Sequence, residues 1–81
     1  MSRQARKQRI KPGGPSLTPR QIEVMNLVRL GMADKEIAQV LGIKTLAVSN
    51  HLSNGIFPRL GVHNRAHAVY ICLREGIIGL R

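Results

Sequence analysis

The chain has 81 residues, and its 13 Lys and Arg against four Asp and Glu give a formal net charge of +9 at pH 7. This length allows one small domain, and no apolar run reaches the ~20 residues of a membrane span. The single Cys excludes an internal disulfide framework and fits a reducing, cytoplasmic location. With one Tyr, one Phe and no Trp, the core is expected to be aliphatic. The charge suits nucleic acid, an acidic protein or an acidic membrane surface.

Residues 1–16 are predicted to form a disordered basic arm. The first eleven residues contain five basic side chains and no acid, and the Pro-Gly-Gly-Pro at 12–15 stops any helix. The five are Arg3, Arg6, Lys7, Arg9 and Lys11. Such an arm could be a solvated linker, or it could touch phosphates or enter a minor groove. Residues 17–81 are then the folded domain.

The first helix has a complete set of local signals. Thr18 is a favoured N-cap residue, and Pro19 suits the first turn, where its missing N–H costs nothing. Gln21 completes a T-x-x-Q capping box with Thr18. Gly31 is placed to end the helix.

A second, shorter helix is predicted from about Asp34 to Leu41, and Gly42 ends it. Its start is weakly capped if Ala33 takes the capping position, although Asp34 could cap instead. Two helices joined by a turn of three or four residues that contains Gly form the helix-turn-helix arrangement.

The third helix is predicted to begin at Thr45, which is a better capping residue than Lys44. Apolar residues recur at every fourth position and so share one side of this helix. They are Val48, Leu52 and Ile56. The opposite side carries small polar side chains, which in so basic a chain suggest a helix offered to the edges of DNA bases. An ordinary amphipathic helix is the alternative interpretation.

The end of the third helix has two possible forms. Asn54-Gly55 is a plausible stop, and Pro58 inside a helix would remove the hydrogen bond to the carbonyl of Asn54, at about 3 kcal/mol. Either the helix ends near Asn54, or it continues through a bulge over residues 55–58 that places this carbonyl harmlessly.

A fourth helix is predicted from Arg65 to about Glu75, with Asn64 as its N-cap and Gly76 as its stop. Its apolar residues spread over more of its surface than one small core can absorb, which points to a second copy of the chain as partner. The predicted dimer interface consists of Ala66, Val69, Tyr70 and Leu73.

No catalytic or metal-binding constellation is present in the sequence. His63 and His67 are four residues apart but have no third ligand nearby. Cys72 lies among apolar residues, where it is expected to act as a small hydrophobe. The chain is therefore predicted to be a non-enzyme without a metal or cofactor.

Several blocks of residues form a familiar series. Residues 17–27 contain L-T-x-R-x-x-E-V-x-x-L, residues 35–41 contain K-E-I-A-x-x-L, and residues 59–62 are R-L-G-V. Asn64, Arg65 and Ala68 follow with the spacing of an S-R-x-x-A block. In order and spacing these blocks resemble the DNA-binding domain of the LuxR family, over residues 17–78.

The resemblance implies an all-α, four-helix bundle that contains a helix-turn-helix, with the third helix in the major groove and dimerisation through the fourth. It implies a bacterial regulator of transcription that binds double-stranded DNA as a homodimer. RNA polymerase or an upstream regulatory domain would be a further partner. A receiver or small-molecule domain normally precedes this domain, so the chain is expected to be a stand-alone regulator or an excised domain.

The chain departs from the family in its third helix. Where the family has S-x-x-T-V-K-x-H, residues 44–51 are K-T-L-A-V-S-N-H, and Gly55 is one extra residue. By matched position the base contacts are Ser49, Asn50 and Ser53, and Asn50 could make a two-pronged contact to adenine. The candidate phosphate contacts are Arg20, Lys44, Thr45 and Arg59.

Three functions remain open at this point. The leading hypothesis is a dimeric, sequence-specific DNA-binding regulator. The departures in the third helix motivate a rival, in which the same fold is a protein-interaction module such as an anti-activator. An RNA-polymerase-associated module related to sigma factor region four is the third, and it accounts less specifically for the first two blocks.

Overall fold

The computed structural model describes residues 17–79, and every regular element in this range is helical. The elements are α1 (Pro19–Val28), α2 (Asp34–Leu41), α3 (Thr45–Asn50), a π-helical segment (His51–Ile56), α4 (Phe57–Leu60) and α5 (Arg65–Arg74). The middle three follow one another without a break, and residues 45–60 are named the compound helix. The predicted all-α fold of four helices is confirmed, with the compound helix as the third and α5 as the fourth. The predicted arm, residues 1–16, lies outside the described residues.

The start of α1 has the predicted reciprocal capping box. The hydroxyl of Thr18 accepts a hydrogen bond from the Gln21 N–H at 3.1 Å, and the Gln21 Oε1 accepts one from the Thr18 N–H at 2.9 Å. These two bonds satisfy backbone donors that the helix itself cannot pair. Gly31 follows the helix with φ +84°, a left-handed conformation that glycine adopts without strain.

The turn between α2 and α3 is the turn of a helix-turn-helix. Gly42 takes φ +69°, and the Ile43 N–H donates to the carbonyl of Ala38 at 3.0 Å. At the other end of α2, Ala33 offers no capping side chain, but its N–H donates to Glu36 Oε1 at 2.8 Å. This bond replaces half of a capping box.

The predicted capping role of Thr45 is wrong, although the helix does begin at Thr45. Lys44 occupies the N-cap position, with extended backbone angles and no side-chain cap bond. Its carbonyl accepts from the N–H groups of Ala47 and Val48 at 2.9 and 3.3 Å. The backbone N–H groups of Gly42 and Ile43 both donate to the end of α2. Lys44 is then the first residue after this turn, and it takes the N-cap position that was expected of Thr45.

The compound helix does not end near Asn54 but continues through the π-helical segment. In that segment the Phe57 N–H donates to the carbonyl of Leu52, five residues back, so one extra residue is accommodated in a wider turn. Pro58 then lies in the first turn of α4, where its missing N–H is tolerated. The bulge alternative is therefore the correct one.

The core between the helices is aliphatic, as predicted. Its fully buried members come from α1, α2, the compound helix and α5. They include Val24, Met25, Ile37, Val48, Leu52, Ile56, Ala68 and Cys72. Truncation of one of the large members to Ala would cost about 2–5 kcal/mol. Burial raises the pKa of the Cys72 thiol to about 11, so this side chain packs as a neutral, small apolar group.

Candidate nucleic-acid interface

The compound helix turns one side to the core and the other to solvent. Val48, Leu52 and Ile56 are at most 2% exposed. On the far side, Leu46 is 70% exposed, and Asn50 is exposed one turn later. The second helix of the helix-turn-helix unit thus presents an accessible surface while its inner residues hold it against α1 and α2.

The three predicted base contacts fall into two groups. Asn50 and Ser53 are exposed, and both lie on or beside the outer surface of the compound helix. Ser49 is half-buried, and its hydroxyl donates to Asp34 Oδ2 at 2.7 Å. The hydrogen of this hydroxyl is therefore engaged within the protein, and only its oxygen remains to accept a bond from elsewhere.

Asp34 holds three helices together at this point. Its Oδ2 accepts from Ser49 in α3, and its Oδ1 accepts from the guanidinium of Arg65 in the first turn of α5. Burial raises the pKa of Asp34, but the bonds from Arg65 and Ser49 and the charge of Arg65 together lower it below its ordinary value. Asp34 is therefore a charged anchor between α2, the compound helix and α5, and not a cap for α2.

A cleft of about 260 Å³ lies beside the anchor. Its lining combines the anchor with side chains of the compound helix and the α5 cap: Asp34, Ser49, Leu52, Ser53, Phe57, Asn64 and Arg65. Among the described residues, no buried side-chain nitrogen or oxygen lacks a hydrogen-bond partner. Ser49, Asp34 and Arg65 are thus paired with one another, whereas the side chain of Ser53 is exposed beside them.

Three of the four predicted phosphate contacts lie at or next to the ends of the compound helix. Lys44 and Thr45 are exposed at its beginning, and Arg59 is exposed near its end. Lys44 and Arg59 are about 20 Å apart along the helix at a rise of 1.5 Å per residue, whereas the major groove is about 12 Å wide. Cations thus lie at both ends of the compound helix, farther apart than the width of a major groove.

Arg20 belongs to α1, which packs directly against the π-helical segment. An added Cβ at Gly55 would lie 2.6 Å from Nε2 of Gln21, so the absence of a side chain at Gly55 permits this close approach. Gln21 is buried, and the neighbouring Arg20 is half-buried. Arg20 forms an ion pair with Glu23 at 3.2 Å across one turn of the helix.

The predicted dimer residues occupy the outer side of α5. Ala66 and Tyr70 are exposed, whereas Val69 and Leu73 are half-buried against the core. The guanidinium carbon of Arg74 lies 5.6 Å from the centre of the Tyr70 ring, a cation–π contact within α5. Tyr70 is 56% exposed, so much of its side chain is accessible on the outer side of α5.

Two residues of the outer surface were missed by matching positions to the family. Leu46 and Asn54 lie four residues before and after Asn50, so helical spacing alone could have grouped them. Asn54 is exposed, and its Nδ2 lies 3.5 Å from Oδ1 of Asn50. This long contact leaves both carboxamides accessible.

Residues 17–79 contain neither a membrane-spanning helix nor a metal-binding cluster. No helix in this range has the length and apolar character needed to cross a bilayer. No group of three or more His, Cys, Asp or Glu side chains in the same range is arranged to hold a metal ion.

The chain is a helix-turn-helix protein. Its α2 and α3 meet at the Gly42 turn, and the compound helix that begins with α3 exposes one side between Lys44 and Arg59. The chain belongs to the luxR family of bacterial regulatory proteins, whose family model matches residues 15–72. The chain is 42% identical over 66 residues to the spore germination protein GerE of Bacillus subtilis, which covers 82% of this chain and 88% of that protein.

Longer regulators match as well. Identity is 32% over 71 residues to the transcriptional regulatory protein MctR of Rhizobium johnstonii, covering 88% of this chain and 33% of MctR. It is 41% over 61 residues to the transcriptional regulatory protein LnrK of Bacillus subtilis, covering 75% of this chain and 27% of LnrK. The chain thus spans about a third or less of these two relatives and most of GerE.

Proposed function

We propose that this protein binds double-stranded DNA in a sequence-specific manner to regulate transcription, with the compound helix in the major groove. The observation that carries the proposal is the exposed polar side of this helix, bordered by Lys44 and Arg59. Asn50 and Ser53 would contact bases, and Ser49 would act only as an acceptor. Lys44, Thr45, Arg59 and Arg20 would contact phosphates, which supply most of the affinity but no sequence information.

The protein is proposed to act as a homodimer through Ala66, Val69, Tyr70 and Leu73. An exposed aromatic ring on the last helix supports this, because large aromatic side chains are enriched at the centres of interfaces. A two-fold dimer would place two compound helices in successive major grooves about 34 Å apart. RNA polymerase or an upstream regulatory domain is a further proposed partner.

Selection from random duplexes with the full chain tests the function. An enriched sequence at moderate salt is expected. Asn50→Ala should weaken the preference for one base at one position of that sequence. Gln39→Ala, at an exposed position of α2, is the control and should leave the enriched sequence unchanged.

A rival function has one specific observation in its favour. Residues 45–54 contain no Lys or Arg, so the surface offered to DNA is neutral and would also suit a protein partner. If selection at moderate salt enriches no sequence, the DNA-reading proposal is wrong and the protein-interaction module takes its place.

A further inference from the structure

The outer surface of the compound helix carries three side chains in one line. Leu46, Asn50 and Asn54 follow one another at intervals of four residues, and all three are exposed. They are named the reading strip. Val48 and Leu52, on the opposite side, are buried in the core, so the orientation of the helix that exposes the strip is fixed by packing.

The π-helical segment keeps Asn54 in the strip. In an α-helix of 3.6 residues per turn, each interval of four residues overshoots one turn, and a line of such residues drifts around the helix. The wider turn that follows Asn50 holds more residues, so Asn54 remains closer to the line of Leu46 and Asn50. The extra residue Gly55 thus affects which side chains can reach one groove.

The chemistry of the strip distinguishes base pairs. Guanine is read mainly by Arg or Lys, and residues 45–54 contain neither. A carboxamide makes paired bonds to N6 and N7 of adenine, and an apolar side chain contacts the thymine methyl group. Asn50 and Asn54 supply the first kind of group, and Leu46 supplies the second.

We infer that the reading strip recognises A·T base pairs, with Leu46 against a thymine methyl group and Asn50 and Asn54 against adenines. The inference rests on the proposed function and makes Leu46 and Asn54 specificity-determining residues in addition to Asn50. The positive charge of the chain is complementary to DNA, while the strip itself is uncharged. Affinity would therefore come from the cations around the strip, and sequence preference from the strip.

The strip also sets the length of the recognised core. Leu46 and Asn54 are separated by eight residues, or about 12 Å at the rise of an α-helix. Successive nucleotides of one strand are about 3.4 Å apart, so the strip spans about three to four base pairs. We therefore expect a core of three or four pairs in each half-site that is rich in A and T.

Base analogues test each contact on the sequence that the full chain selects. Deoxyuridine in place of thymidine removes only the methyl group, and 7-deazaadenine removes only the N7 acceptor. At one core position deoxyuridine should weaken binding of the parent about threefold, and at another 7-deazaadenine should weaken it about tenfold. Binding of Leu46→Ala should not change when deoxyuridine replaces thymidine. Binding of Asn50→Ala or Asn54→Ala should not change when 7-deazaadenine replaces adenine.

Leu30→Ala is the matched control, because Leu30 is similarly exposed but lies beyond the end of α1. It should retain the sensitivity of the parent to both analogues. An enriched core with G·C pairs at the positions that these variants affect would overturn the inference and leave the proposed function standing. Failure to enrich any sequence would instead overturn the proposed function itself.

Discussion

Ser49 and Asp34 are joined by a hydrogen bond of 2.7 Å, in which the Ser49 hydroxyl donates to the Asp34 carboxylate. The same carboxylate receives the guanidinium of Arg65 from α5. Ser49 thus ties the compound helix to α2 and, through the shared carboxylate, to α5. These contacts fix the position of the compound helix relative to α2 and α5.

Asp34→Asn should remove the pH-dependent contribution that the Asp34 carboxylate makes to the free energy of unfolding. The pKa of Asp34 is lowered in the folded protein, so its contribution to stability is fully present above the unfolded pKa of about 3.9. It is lost as the pH falls through the lower folded pKa. We expect Asp34→Asn to reduce the free energy of unfolding by about 1 kcal/mol at pH 7 and by less at pH 3.

Urea unfolding of the parent and of Asp34→Asn between pH 3 and pH 7 measures this difference. Glu23→Gln is the control, because Glu23 and Arg20 form an exposed pair on the surface of α1. That variant should change stability by less than about 0.5 kcal/mol. Parallel stability curves for parent and Asp34→Asn would show that the anchor carries no pH-dependent stability.

Gly55 and Gln21 form a second long-range relationship that can be measured. In Gly55→Ala the new Cβ would lie 2.6 Å from Gln21 Nε2, so the amide must move and strain its capping bond to the Thr18 N–H. The loss of such a cap costs about 1 kcal/mol, which offsets the roughly equal gain of Ala over Gly in a helix. The single variant is therefore expected to be neutral or slightly destabilised.

A double-mutant cycle separates the two effects. In a Gln21→Ala background the clash is absent, and Gly55→Ala should stabilise the protein by up to about 1 kcal/mol. Chemical denaturation of the four variants gives the coupling energy. If Gly55→Ala changes the free energy of unfolding equally in both backgrounds, contact with Gln21 is not the reason for glycine at position 55.

The parts of the fold that depend on neighbours in sequence could be predicted from sequence. The Thr18–Gln21 box and the stops at Gly31 and Gly42 follow from backbone rules that act over three or four residues. The choice between a helix end and a bulge could not be predicted. It is linked to the contact of Gly55 with Gln21, a residue far away in the chain.

The candidate site shows the same division. Family matching identified Asn50 and Ser53 as exposed side chains of the third helix, but it could not show that Ser49 turns towards Asp34. It also missed Leu46, an exposed apolar residue that helical spacing could have grouped with Asn50. Only the tertiary contact with Asp34 supplied the orientation of Ser49.

The basic arm should contribute to DNA affinity through its charge. It lies outside the described residues, but its five basic side chains form more than half of the net charge of +9. Replacement of all five by Gln should flatten the plot of log affinity against log salt by about 0.9 per lost phosphate contact. Binding to one duplex at several salt concentrations measures this slope. Lys35→Gln, in α2, is a single-charge control, and an arm variant with the slope of the parent would make the arm a linker.

The dimer proposal is tested most cleanly at Tyr70, because this side chain is 56% exposed and its replacement should not disturb the core. Tyr70→Glu would put a charge at the centre of the proposed α5 interface and remove the ring that Arg74 covers. A central aromatic residue contributes about 2 kcal/mol or more, so dissociation should become roughly 30-fold easier. Sedimentation of the full chain measures the change, and Val40→Glu, at a similarly exposed apolar residue of α2, is the control. If Tyr70→Glu and the parent dissociate at the same concentration, α5 is not the interface, and a dimer must use another surface.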